Sequence, residues 1–96
     1  MKPWDESKNE LNQSNHGISF ETALLVFDDE FAVTAEDYID ANNEMRYQTV
    51  GLVQGVIILV AHVYRIIESV ETPWIVMARK AVKYEENVYH SYRNKN

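Results

Sequence analysis

The most apolar run in the chain is Val56-Ile-Ile-Leu-Val60, and the hydrophobic pattern changes its period on either side of it. Upstream, Phe20, Ala23, Leu24 and Phe27 fall at i, i+3, i+4 and i+7, the spacing of a helix that buries one face. Ser19 precedes them as an N-cap, Glu21 suits the first turn, and the acidic cluster Asp28-Asp29-Glu30 ends the segment. An earlier helix is predicted from about Glu6 to Asn15, with Asp5 as its N-cap and Gly17 as the left-handed residue that stops it. Its apolar content is thin. Leu11 is the expected internal anchor, and Trp4 and Ile18 pin its ends.

Phe31 to Ala35 reads as a short strand by β-propensity, and the acidic stretch Glu36 to Glu44 as a loop or helical turn. Met45 to Leu52 alternates, with Arg46, Gln48 and Val50 on one face and Met45, Tyr47 and Thr49 on the other. Gly51 and Gly55 bracket a turn, and Val56 to Tyr64 returns as a central strand, apolar on both faces. Ile66 to Thr72 is an irregular connection, and Pro73 opens a last strand, Trp74 to Lys80, because proline is tolerated at a strand's first residue. From Val82 the period is helical again, with Val82, Glu85, Val88, Tyr89 and Tyr92 on one side. The tail, Asn94 to Asn96, is expected to fray. The order α-α-β-β-β-β-α predicts a single α+β domain over residues 1–96, helices covering an antiparallel sheet of about four strands.

Composition narrows the class. The absence of cysteine excludes disulfides and thiolate sites, and the opening MKPWDESKNE has no apolar core of a signal peptide. Gly51 to Tyr64 is too short and too polar, with Gln54 and His62, for a spanning helix of roughly 20 apolar residues. A soluble, cytoplasmic protein with no membrane partner is expected. The net charge of −6 is unevenly placed. Residues 1–44 hold eleven acids and two lysines, a balance of −9, whereas residues 45–96 hold seven Lys/Arg and four acids, a balance of +3. Such an asymmetry suits one face that meets a polyanion while another repels it or binds a basic partner. It is set against acidic helix surfaces that simply keep the protein soluble, the reading that charge alone favours. Asp28-Asp29-Glu30 has no matching His or spaced Asp and reads as a solvated turn, so neither metal nor cofactor is expected.

The N-terminal stretch Trp4-Asp5, Lys8, His16-Gly-Ile-Ser-Phe-Glu21, Ala23 and Val26-Phe-Asp-Asp29 resembles the opening of BrnT toxins. Glu44, Arg46, Gly51, Gly55, His62, Arg65, Ala78-Arg-Lys-Ala81, Glu85 and Tyr89 are similar to the family's second half. The resemblance implies a RelE-like ribonuclease toxin of a type II toxin–antitoxin pair. Such a toxin cleaves RNA, inhibits translation and is neutralised by a small ribbon-helix-helix antitoxin, BrnA, through which it meets DNA only indirectly. One departure stands in the last strand, where the family usually reads R-I-I-S-A-R. Trp74 and Met77 here replace a cation and a hydroxyl.

RNA can be cleaved without metal when its own 2′-hydroxyl attacks the adjacent phosphorus, provided the enzyme aligns the attack and stabilises the charge that develops. Arginine suits this task because its planar fork holds two phosphate oxygens and stays protonated. Arg79 is the first candidate, with Glu85 or Glu86 as its alternative partner. Arg65, set against an ordinary ion pair with Glu68, and Arg46, set against an orienting salt bridge, are the further guanidinium candidates. The nuclease reading expects all three to converge on one phosphodiester. His62 is the candidate acid–base by residue type, set against a role as hydrogen-bonded core. Lys80, Lys83 and Tyr89 are candidate RNA contacts. Two other readings remain. One is a weakened relative that only binds antitoxin, and the other an unrelated α+β interaction module.

Overall fold

In a computed structural model, which describes residues 1–95, helix α1 (Glu6–His16) begins at Asp5, whose carboxylate accepts from the Ser7 amide at 3.0 Å. It stops at Gly17 (φ 72°), whose N–H donates to the Gln13 carbonyl, in a backbone region costly for residues with a Cβ. Helix α2 (Phe20–Leu24) is capped by Ser19, which accepts from the Thr22 amide, and tightens into a 3-10 turn over Leu25–Asp28. Leu11 is 60% exposed and anchors nothing, which corrects the sequence expectation. Two buried amides hold α1 instead. Asn9 accepts from the Phe20 N–H and donates to Glu21, tying α1 to the start of α2. Asn12 donates to the carbonyls of Ile18 and Ala78, both at 2.8 Å, and accepts from the Ala78 N–H.

Strands β1 (Val33–Ile39), β2 (Met45–Val53), β3 (Val56–Ile67) and β4 (Val70–Lys80) form one antiparallel sheet in sequence order, followed by helix α3 (Lys83–Asn94). The predicted element order is the one that forms. Asn96 lies outside the described residues. Three boundaries differ. β1 runs on through Glu36–Ile39, where charged side chains are tolerated because this edge strand is exposed. The stretch 66–72 is not irregular: β3 and β4 continue to a tight hairpin at Glu68 (φ 51°) and Ser69 (φ 67°), and Pro73 sits inside edge strand β4. Gly51 lies within β2 and the turn falls at Gln54-Gly55.

Gly51 marks the closest approach of the N-terminal segment to the sheet. A Cβ there would stand 2.8 Å from Val26 Cγ1 and 3.1 Å from the Val26 carbonyl oxygen. Val26 is fully buried, so Gly51→Ala is expected to destabilise the fold by about 1–3 kcal/mol, read from the urea midpoint.

The two faces of the sheet are covered unequally. Trp4, Ile18, Phe20, Ala23 and Val26 pack on Ile58, Val60, Ile75 and Ala78, filling the face under α1 and α2. On the opposite face Tyr89 of α3 packs against Val50, Ile57 and Leu59, near the β2–β3 hairpin. Beyond α3 this second face is open. Val76 is an extra residue in β4, between Met77 opposite Ala61 and Ile75 opposite His62. Such a bulge inverts the alternation of side chains. Trp74 therefore joins Met77 and Arg79 on the open face, while Ile75 turns into the core.

Candidate active site

The open face carries all three candidate arginines, each from a different strand. Arg46 shares the parity of Gln48 and Val50 on β2, Arg65 that of Leu59 on β3, and Arg79 is paired across from Leu59. They do not converge on one point, as the sequence reading expected. Six residues of β3 separate the level of Arg79 from Arg65, which at strand rise is about 20 Å. Arg46 and Arg65 stand together at one end, and Arg79 stands at the other, beside α3.

Every one of the three guanidinium groups is met by a carboxylate. Arg46 Nε donates to Asp40 Oδ2 at 2.9 Å. Arg65 donates to Glu44 through Nε and Nη2, at 3.1 and 2.9 Å, so a single β1–β2 loop supplies both acids. Arg79 makes the fork-to-fork pair with Glu85, Nη1 to Oε1 at 2.8 Å and Nη2 to Oε2 at 2.9 Å. Glu85 also accepts from the Val82 N–H and so starts α3. The hydrogen bonds to these arginines hold Asp40, Glu44 and Glu85 below the usual carboxylate range, and the same bonds raise Arg65 and Arg79. All of these groups are therefore ionised at neutral pH. Lys80 and Lys83 lie exposed and form no ion pair among the described residues. Lys80 pairs with Ile58 across β3 and so falls on the opposite face from Arg79, leaving Lys83 at the start of α3 as the lysine on this side.

Between the two ends the floor is Gln48, Ala61 and Met77. A cavity of about 200 Å³ opens where Val33, Ala35, Gln48 and Leu59 meet Tyr84, Glu85 and Val88 of α3. No group of three His, Cys, Asp or Glu among the described residues is placed to hold a metal ion.

His62 faces away from this floor, and its placement corrects the sequence candidate. The ring is fully buried, wedged edge-on against Phe27 and stacked with Tyr47. Its Nε2 lies 2.7 Å from Thr49 Oγ1, which lies 2.8 Å from Thr34 Oγ1. Burial pushes the His62 pKa down to about 4, so the imidazole is neutral and belongs to the core. Unfolding frees the ring to titrate near 6.5, so the unfolded chain takes up a proton first as pH falls. Stability is complete above pH 6.5, and about 3 kcal/mol is lost between pH 6.5 and 4. His62→Gln should flatten that portion of the curve in urea titrations run at stepped pH.

Tyr89 is likewise withdrawn from RNA. It is fully buried, and its hydroxyl donates to Asp29 Oδ2 at 2.6 Å. Asp29 also accepts from the amides of Leu52 and Phe31, so one carboxylate joins α3 to β2 and to the segment before β1. Burial raises the Asp29 carboxyl, but these three hydrogen bonds outweigh it and the net shift is downward. The sequence reading overlooked Asp40 and Trp74 as partners of the arginines, and its ion pair of Arg65 with Glu68 is corrected to Glu44. Only the register of the strands reveals them.

The profile of the family described as ribonuclease toxin, BrnT, of type II toxin–antitoxin system matches residues 4–85. The chain belongs to the BrnT family. The match runs from Trp4, at the edge of the first core, to Glu85, the partner of Arg79. A comparison with curated proteins found no match. Membership makes this a ribonuclease toxin fold of a type II system, with RNA as target and an antitoxin as partner. Among the described residues, no helix is long and apolar enough to cross a membrane.

Proposed function

We propose that this BrnT-family chain is a metal-independent endoribonuclease that arrests translation in the cytoplasm and is neutralised by a ribbon-helix-helix antitoxin of the BrnA kind. The observation that carries the reading is the open sheet face, on which three strands each present an arginine braced by a carboxylate. A brace of this kind fixes the planar fork before substrate arrives, so little order is lost on binding. Arg79, with Lys83 at the start of α3 on the same side, is the proposed grip on the scissile phosphate, while Lys80 faces the other side of the sheet. There a phosphate competes with Glu85 for one edge of the guanidinium and meets Lys83, which forms no ion pair among the described residues. Arg46 and Arg65 lie too far away for the same phosphate and act on the strand as it continues along the floor. With His62 in the core, catalysis rests on alignment and charge stabilisation rather than on an imidazole.

A second reading has its own support. The floor positions Trp74 and Met77 offer neither charge nor hydroxyl, and all three arginines are already paired. That pattern suits a relative that keeps antitoxin docking without cleavage. Induced expression decides between them. A nuclease arrests growth when expressed alone, is silenced by co-expression of a ribbon-helix-helix antitoxin, and degrades RNA in EDTA. Harmless expression with retained antitoxin binding selects the second reading.

A further inference from the structure

We propose that Arg65, lying on Trp74, is a shelf on which an unpaired RNA base stacks, several nucleotides away from the phosphate held at Arg79. The proposal rests on the ribonuclease reading for its ligand class. It is carried by four observations about Arg65 and its neighbour.

The Val76 bulge turns Trp74 onto the open face, where Val63 is its cross-strand partner. The Arg65 guanidinium carbon sits 4.7 Å from the centre of the Trp74 ring, within cation–π range. Glu44 takes the Nε and Nη2 edge of Arg65, which is the edge that would otherwise fork onto a phosphate. The Arg65 side chain nevertheless remains 41% exposed. With its fork occupied and the indole beneath, the group has its outer plane and three of five N–H donors left for a ligand.

A guanidinium plane accepts the π-face of any nucleobase, and the remaining N–H groups can reach the base edge or an adjoining phosphate. The plane is held from the side by an acid and from below by an aromatic ring, so stacking does not have to immobilise it. A duplex keeps its bases stacked internally and cannot offer one here. The shelf therefore selects single-stranded RNA. Its separation of about 20 Å from Arg79 sets how far the unpaired base lies from the cut.

The test uses the intact protein and oligoribonucleotides carrying 2′-O-methyl groups, which cannot self-attack. Two versions are compared, one fully based and one abasic over its central nucleotides. Trp74 is partly exposed and the other tryptophan, Trp4, is buried, so indole fluorescence reports on the shelf. The based strand is expected to quench fluorescence and bind about tenfold more tightly than the abasic strand. Arg65→Lys keeps the charge and removes the plane. It should weaken the based strand by about the same factor and the abasic strand, which keeps only the phosphate contacts, by much less. Thermal melting of the variant checks that the fold is retained.

Equal affinity for both strands, no quench by either, or an equal loss from both in Arg65→Lys overturns the shelf. If the wild type cleaves RNA while giving one of those results, the ribonuclease reading survives without the shelf. If base-dependent binding is found and no RNA is ever cut, the shelf survives and the nuclease reading falls.

Discussion

Arg79→Ala is expected to lower RNA cleavage by about 10²- to 10³-fold and to abolish growth arrest, the size seen when a fixed donor to a developing oxyanion is removed. The side chain is poised for that role by the bidentate pair with Glu85, and Lys83 at the start of α3 adds positive charge on the same side. The competing explanation is that Arg79 merely fastens α3. Glu85→Gln separates the two, because it weakens the fastening while leaving the cation in place. Cleavage should persist in Glu85→Gln and fail in Arg79→Ala at matched melting temperature. Equal losses in both variants, each tracking stability, would make Arg79 a structural residue only. Arg79→Lys should fall between, since an ammonium keeps the charge and loses the fork.

Asn12→Leu is expected to cost about 4 kcal/mol, because it strands the Ile18 carbonyl and both backbone groups of Ala78 in a buried setting. For a chain of this size that corresponds to a fall in melting temperature of about 20 °C. Leu11→Asn next to it should change stability by no more than about 0.5 kcal/mol, since Leu11 projects into solvent. A larger loss at Leu11 than at Asn12 would refute this account of how α1 is held. The amide of Asn12 also answers a hazard of the sheet. It bonds Ala78 as a neighbouring strand would, and the Pro3 carbonyl accepts from the Ile75 N–H nearby, so the outer rim of β4 is partly closed to other chains.

Local chemistry was legible in the sequence where it is self-contained. Asp5, Gly17 and Ser19 each act within one helical turn, and each stands where its type predicts. The β3–β4 hairpin was not legible because Glu68 and Ser69 adopt left-handed backbone without the glycine or asparagine that usually announces it. Asn9 and Asn12 did leave a trace. Two poor helix formers spaced i, i+3 inside a helix need a reason, and their reason is capping backbone outside the helix. The arginines were identifiable by type and number, but their carboxylate partners come from as far as 21 residues away in the chain. Neither the bulge at Val76 nor the side of the sheet on which Trp74 falls can be read from alternation. A regular strand would put Trp74 and Arg79 on opposite sides.

The carboxylate that braces Arg79 and the phenol that reaches Asp29 both belong to α3, which follows all four strands in the chain. A nascent chain that has emerged only as far as Lys80 has all four strands and still lacks the clasp that orients its foremost cation. The proposed phosphate grip is thus completed only once α3 has been made, and the growing polypeptide stays blunt until then.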